Sequence, residues 1–377
     1  MKIGFDAKRF FNNFTGLGNY SRFIIGSLSE HLPENKYWLY SPKIKDHSEL
    51  TSIVARSNIN VVTPSSLYNF FHASSLWRTW GVSSDPSVKN LDLYHGLSQE
   101  LPLNLPRTIK KVVTVHDLIF FRSPELYNPV DVSIYKAKVK KACRQADRII
   151  AVSQQTAGDI INFLKVEPGK VEVVYMGCHR NFKKKFSAED INNVKAKYDL
   201  PVQYILNVGT IEQRKNVLIL VKALALIPED LRKQVVIVGR PTSYKKQVVE
   251  EALRLGVEKW ISFLHNIPFA DLPAIYQGAQ IFVYPSIFEG FGIPLVEALE
   301  SSIPVITSTG SCFKEAAGPG SIYVDSNNEE ELAFQLKRVL EDETLREQMI
   351  LAGKKHITQF EPNVIAGNLN SIYSSLC

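Results

Sequence analysis

Tyr284-Pro285-Ser286-Ile287-Phe288-Glu289-Gly290-Phe291-Gly292-Ile293-Pro294-Leu295-Val296-Glu297-Ala298-Leu299 holds a strand end, a turn and a helix start within sixteen residues. The apolar run 281–286 ends here. Gly290 and Gly292 then loosen the backbone, and Pro294 stands where a first helical turn favours proline. Leu295 and Leu299, spaced i to i+4, give that helix a buried side. A strand that feeds a helix through a glycine-bearing turn is the unit of a parallel sheet.

Working outward, the same unit recurs along the chain. Short apolar runs rich in Val, Ile and Tyr fall at 2–7, 37–41, 58–63, 91–96, 110–117, 148–153 and 171–177. They resume at 203–210, 234–239, 261–266, 281–286, 304–309 and 321–325, with amphipathic helix-length stretches between. Strings such as Val112-Val113-Thr114-Val115 lack strict alternation, which suits strands buried on both faces. The reading is α/β, with two doubly wound Rossmann-like domains. The first covers 1–180 and the second 200–356, joined through the basic stretch Asn181-Phe182-Lys183-Lys184-Lys185-Phe186. A weakly periodic segment, 359–377, is expected to return to the first domain.

In such sheets ligands gather at the carboxyl ends of strands, so the chemistry is sought there. After 281–286, Gly290 and Gly292 let a ligand approach the backbone. The helix start near Pro294 then offers N–H groups to an anion such as a diphosphate. Glu289 lies in the turn and Glu297 about one turn into the helix. A dipole favours an acid at 297, but nothing in a glycine-rich turn requires one at 289. Carboxylates beside a phosphate site make sense for a sugar nucleotide, whose hydroxyls donate to them.

Gly209-Thr210-Ile211-Glu212-Gln213-Arg214-Lys215-Asn216 begins at the end of the run 203–210, after the strand 203–208. Arg214 and Lys215 suit a diphosphate, a planar fork beside a point charge. Cations at a helix start oppose the dipole, which argues for an anion near them. Thr15-Gly16-Leu17-Gly18 follows the first strand, and Ser21 fails the last position of a dinucleotide fingerprint. His116-Asp117 closes the run 110–117 and reads as functional at that strand end. The chain has no GxxxxGK[ST] and no DxD, so neither a P-loop nor an acidic metal-chelating pair is expected.

The 377 residues, 45% hydrophobic and 22% charged, are those of a globular chain of two domains. It opens directly in a strand pattern and has no run long enough to span a bilayer. Cys143, Cys178, Cys312 and Cys377 are scattered without metal-type spacing, as in a cytoplasmic protein with reduced thiols. Residues 1–178 carry 22 Lys+Arg against 15 Asp+Glu, a net of +7, while the whole chain is +6. Two stretches there mix aromatics with cations: Tyr68-Asn69-Phe70-Phe71-His72 through Trp77-Arg78-Thr79-Trp80, and Lys136 through Arg148 after Phe120-Phe121. Both suit an anionic membrane surface. No nucleic-acid module accompanies them.

Together these segments resemble glycosyltransferase family 4, retaining enzymes of GT-B architecture whose two domains face across a cleft. The resemblance covers nearly the whole chain. It is most specific at Glu289 and Glu297 with Gly-Phe-Gly-Ile-Pro between them, and the motif set is similar to bacterial mannosyltransferases that use GDP-mannose. It implies that Glu297 binds ribose and Glu289 a hydroxyl of the transferred sugar. Arg214 and Lys215 hold the diphosphate, aided by Gly16 and Gly18, and His116 contacts the donor sugar. Gly209, Gly290, Phe291, Gly292, Pro294 and Leu295 complete the donor site. The partners implied are a nucleotide-sugar donor, GDP-sugar rather than UDP-sugar, and a glycan or lipid-linked acceptor, with no metal or other cofactor and no nucleic acid. The chain departs from its relatives at Phe360-Glu361-Pro362, where Phe-Ser-Trp is common. A sugar-nucleotide binder or an epimerase of the same fold is the rival reading.

Overall fold

The computed structural model describes residues 1–45, 47–64 and 76–377. The chain divides into two compact units, Met1–Gly177 with Phe360–Cys377, and Cys178–Gln359.

In the first unit, β1 (Lys2–Asp6), β2 (Lys36–Tyr40), β3 (Ile59–Val62), β4 (Leu93–Gly96), β5 (Lys110–Val115), β6 (Arg148–Ala151) and β7 (Val171–Val173) form one sheet in the order β3-β2-β1-β4-β5-β6-β7. Every pairing is parallel, with Ile3 opposite Leu93 and Val113 opposite Ile149. Chain order reverses between β1 and β4. A strand falls on each of the seven apolar runs in this half: the central ones, such as β5 and β6, bury their Val and Ile side chains, while the edge strands β3 and β7 are only half-buried.

The second unit repeats the plan with β8 (Tyr204–Val208), β9 (Gln234–Val238), β10 (Ile261–Leu264), β11 (Ile281–Tyr284), β12 (Val305–Ser308) and β13 (Ile322–Val324), ordered β10-β9-β8-β11-β12-β13. These pairings are also parallel, and the reversal lies between β8 and β11. One core cluster joins Ile205, Val235, Ile237 and Ile281 to Leu220 and Leu224 of the helix Val217–Leu226 and Leu332 and Leu336 of the helix Glu329–Glu341. Both architectures are those expected: two Rossmann-like domains with all-parallel sheets.

The terminal helix Pro362–Ser374 belongs to the first unit. Pro362 occupies its first turn after Glu361, so the departure from Phe-Ser-Trp still starts a helix. Ile365, Ala366, Leu369 and Tyr373 are fully buried, and each large apolar side chain among them contributes ~1.5–3 kcal/mol. Tyr373 Oη also meets His95 Nδ1 at 2.7 Å, and His95 Nε2 meets Thr114 Oγ1 at 2.8 Å. Tyr20 Oη lies 3.0 Å from the same Thr114 oxygen. One polar network thus ties β4, β5, the helix Gly16–His31 and the chain's end.

The aromatic stretch expected at a membrane lies outside the described residues at 68–75. Its remainder departs from the expectation. Trp77 is buried, and Arg78 Nε donates to Asp6 Oδ2 at 2.9 Å while Nη1 reaches Glu100 Oε2 at 2.5 Å. A guanidinium between two carboxylates gains more there than at a headgroup boundary. Trp80 alone of these three is exposed.

Candidate active site

The reversal between β8 and β11 places two loops side by side in the second unit. Gln213–Lys215 forms a single 3-10 turn, and Asn216 follows in the left-handed conformation (φ 54°), which asparagine tolerates. Arg214 and Lys215 therefore precede the helix Val217–Leu226 by a turn of their own, rather than opening it as their position in the sequence suggests. The turn is bonded to the loop after β11: Ile287 N donates to Arg214 O at 2.9 Å, and Arg214 Nη1 to Phe288 O at 2.6 Å.

That bonding brings three expected residues together. Glu289 Oε1 accepts from Lys215 Nζ at 2.6 Å and from Tyr284 Oη at 3.1 Å, and Arg214 Nη1 stands 2.8 Å away. Arg214 Nη2 also reaches Glu212 Oε1 at 2.7 Å. The anion expected near these cations is thus in part the protein's own. Burial pushes the Glu289 carboxyl up, but Lys215 and Arg214 outweigh it and hold the group at about 2.

Glu297 shows the opposite balance. It lies in the helix Ile293–Glu300 and is buried, with Tyr276 Oη donating to its Oε2 at 2.8 Å. Burial raises its carboxyl to about 7, and the tyrosine bond offsets only part of that. Tyr276 is itself fixed between the rings of Phe182 and Phe282, each 5.3 Å away.

Gly292 caps the helix at φ 94°, in the left-handed region, and Pro294 occupies the first turn. Phe291 and Leu295 pack inward at this helix start. Both side chains are buried, and the Leu295 amide already donates to Gly292 O at 2.9 Å. Gly209 N likewise donates to Val238 O at 2.9 Å. The sequence reading missed Gly239, where a Cβ would lie 1.8 Å from Gly209 O. The loops after β8 and β9 pass at backbone distance only because that side chain is absent. A glycine closing an apolar strand run was the available signal.

The remaining expected residues are in the first unit: Gly16 and Gly18 after β1, at that unit's reversal, and His116 after β5, one strand beyond β4. His116 follows β5, is buried, and its Nε2 lies 2.8 Å from Leu97 O. Burial lowers its pKa to about 4, so the ring is neutral, donates from Nε2, and keeps a lone pair on Nδ1. It lines a cavity of about 290 Å³ with Arg9, Ser98, Glu100, Tyr127 and Lys138. Lys138 Nζ donates to Glu100 Oε1 at 3.2 Å.

Gly16 and Gly18 open the helix Gly16–His31; the residue before it, Thr15, gives that helix no side-chain capping bond and instead donates from Oγ1 to Asn13 Oδ1 at 2.7 Å. Gly18 is explained within the protein: a Cβ there would lie 1.6 Å from Asn13 O. Nothing lies within 4 Å of a Cβ at Gly16. Among the described residues, no three of His, Cys, Asp and Glu converge as a metal site.

Comparison with known proteins accounts for both halves of the chain. Residues 25–181 match the model of Glycosyltransferase Family 4, and residues 190–356 that of Glycosyl transferases group 1. O-antigen chain mannosyltransferase B of Escherichia coli is 28% identical over 386 residues, covering 96% of this chain and 96% of that one. Serotype-specific mannosyltransferase WbdA of Escherichia coli is 28% identical over 272 residues, 69% of this chain but only 33% of that longer protein. Among solved structures, Anabaena HepE in complex with UDP and glucose matches with a TM-score of 0.74 at 20% identity, over 100% of both chains. Matched by family models in both halves and by fold along its length, the chain belongs to the glycosyltransferases of GT-B architecture, with a Glycosyltransferase Family 4 region followed by a group 1 region.

Proposed function

We propose that the chain is a retaining hexosyltransferase that moves mannose from GDP-mannose to a glycan or lipid-linked acceptor in the synthesis of a bacterial surface polysaccharide. The carrying observation is the convergence of Arg214, Lys215 and Glu289 at the β8/β11 reversal. Two cations suit a departing diphosphate, and a carboxylate held ionised between them suits a sugar hydroxyl. The mannosyl donor is favoured by the names of the relatives that match most of the chain.

In this reading the acceptor hydroxyl oxygen bonds to the anomeric carbon on the face from which the phosphate leaves. The bond from that carbon to the diphosphate breaks with its electron pair, and the hydroxyl proton passes to the leaving phosphate. Arg214 and Lys215 neutralise the charge that develops. Glu297 receives the ribose hydroxyls, and His116 offers Nδ1 to a sugar hydroxyl. No step calls on a metal, so turnover is expected to survive exhaustive EDTA treatment. Loss that Mg²⁺ or Mn²⁺ restores would remove Arg214 and Lys215 from this role.

The acceptor side is proposed to rest on an anionic lipid surface through the helix Pro129–Gln145. Its exposed side carries Val130 and Ile134 with Lys141 and Arg144, a combination suited to a headgroup boundary. Incubating the protein with GDP- and UDP-sugars, with and without lipid-linked acceptors, tests the whole reading. Acceptor-dependent release of GDP from GDP-mannose is expected. Release from UDP-sugars alone would replace the donor, and no release from any donor would favour a binder.

A further inference from the structure

The loop after β12 grips Glu289 from another strand. Ser311 Oγ accepts from Glu289 N at 3.2 Å and donates to Glu289 O at 3.0 Å, so one hydroxyl occupies both main-chain polar groups of that residue. Beside it, the fully buried Cys312 Sγ lies 3.3 Å from Glu289 O and 3.0 Å from Phe291 O. Gly310 and Ser311 both have left-handed backbones, with φ 80° and 47°. That conformation suits glycine and is costly for serine. A serine kept at φ 47° has a reason in its side chain, and the two bonds to Glu289 supply one.

From this geometry we infer that Ser311 is a positioning residue for the transfer step, with Cys312 as its neighbour in the same clasp. The carboxylate of Glu289 is fixed by Arg214 and Lys215, which the leaving diphosphate is proposed to engage at the moment of reaction. The main-chain grip from Ser311 does not depend on those cations. It holds the root of the Glu289 side chain while they turn to the phosphate. Misplacing a reacting group by about 1 Å costs up to ~10²-fold in rate, so the loss of this grip falls on turnover rather than on binding. The inference rests on the proposed role of Glu289.

The test uses the full chain with Ser311→Gly, Ser311→Ala, Cys312→Ala, Cys312→Ser and Glu289→Gln. Glycine relieves the left-handed backbone while deleting the hydroxyl, so Ser311→Gly should melt no lower than the parent. Its kcat should fall by ~10-fold or more, with donor KM and GDP affinity within about 2-fold. A purely conformational role predicts full activity in that variant. Ser311→Ala should lose kcat similarly, and Cys312→Ser, which keeps a donor, should retain more activity than Cys312→Ala. If Glu289→Gln lowers kcat but Ser311→Gly and Ser311→Ala do not, the clasp is overturned and the role of Glu289 stands. An unchanged kcat in Glu289→Gln overturns both.

Discussion

Glu289 and Glu297 are eight positions apart and equally buried, yet their carboxyls are driven in opposite directions, to about 2 and about 7. Burial acts on both; only Glu289 has cations against it. The division of labour follows. Glu289→Gln should lower turnover far more than GDP affinity, whereas Glu297→Ala should weaken GDP binding, because ribose is common to donor and product. Calorimetry with GDP on both variants checks this, and equal losses of affinity would dissolve the distinction. Ribose hydroxyls donate to a carboxylate, so GDP binds the ionised form of Glu297. Binding should therefore tighten as pH rises toward about 7 and release a proton below it. The same titration in buffers of different ionisation enthalpy reads that proton directly. Arg214→Ala should reduce turnover by ~10²-fold or more and weaken GDP binding; unchanged turnover in a folded variant would make the pair structural.

At the scale of elements, the thirteen strands of the described residues were legible because short apolar runs rich in Val and Ile, set between helix-length stretches, have few alternatives in a chain of this composition. Glu289, Arg214 and Lys215 were each legible as strand-end residues, whereas their meeting depends on the β8/β11 order, which the sequence pattern does not carry. The 3-10 turn at Gln213–Lys215 was not legible, since only the left-handed Asn216 after it marks the break. Gly239 and Ser311 escaped for a related reason: their importance lies in what another loop does beside them. The helix Pro129–Gln145 was read as basic, and the structure divides that charge. Lys136 and Lys140 lie 4.9 and 5.7 Å from the Phe121 ring centroid, and Lys138 turns to Glu100. Lys141 and Arg144 remain on the side that exposes Val130 and Ile134. Ile134→Asp combined with Lys141→Glu should therefore abolish sedimentation with anionic vesicles, and parent binding should fall with salt. Parent protein that ignores vesicles of every composition would restrict this helix to a solvated face.

For the whole molecule, buried titrating groups of opposite kind lie in different units. His95 and His116 of the first unit are held neutral by burial, at about 3 and about 4. Unfolded histidine takes up its proton near 6.5, so as pH falls below that value the unfolded chain binds protons that the folded one refuses. The first unit then loses about 2 kcal/mol from each by pH 5. In the second unit, Glu297 at about 7 keeps its proton in the fold but sheds it near 4.5 when unfolded. Going from pH 7.5 to 5 relieves an ionised buried carboxylate and returns about 2 kcal/mol. Glu289 does not oppose this, because its contribution is lost only as pH falls from about 4.5 to about 2; His356 of the same unit, half-buried and held below its ordinary pKa by burial, offsets part of the gain. The two cores should thus respond to mild acid with opposite sign, and the melting transitions should separate as pH drops from 7.5 to 5. Scanning calorimetry with and without GDP identifies them, because a ligand raises the transition of the unit that binds it. The GDP-sensitive transition should move up, or fall least, and the other should move down. Replacing Glu297 with Gln should leave the first unit's acid response in place and remove the second unit's gain. Transitions that shift together by the same amount at every pH would show that surface charge outweighs these three buried groups.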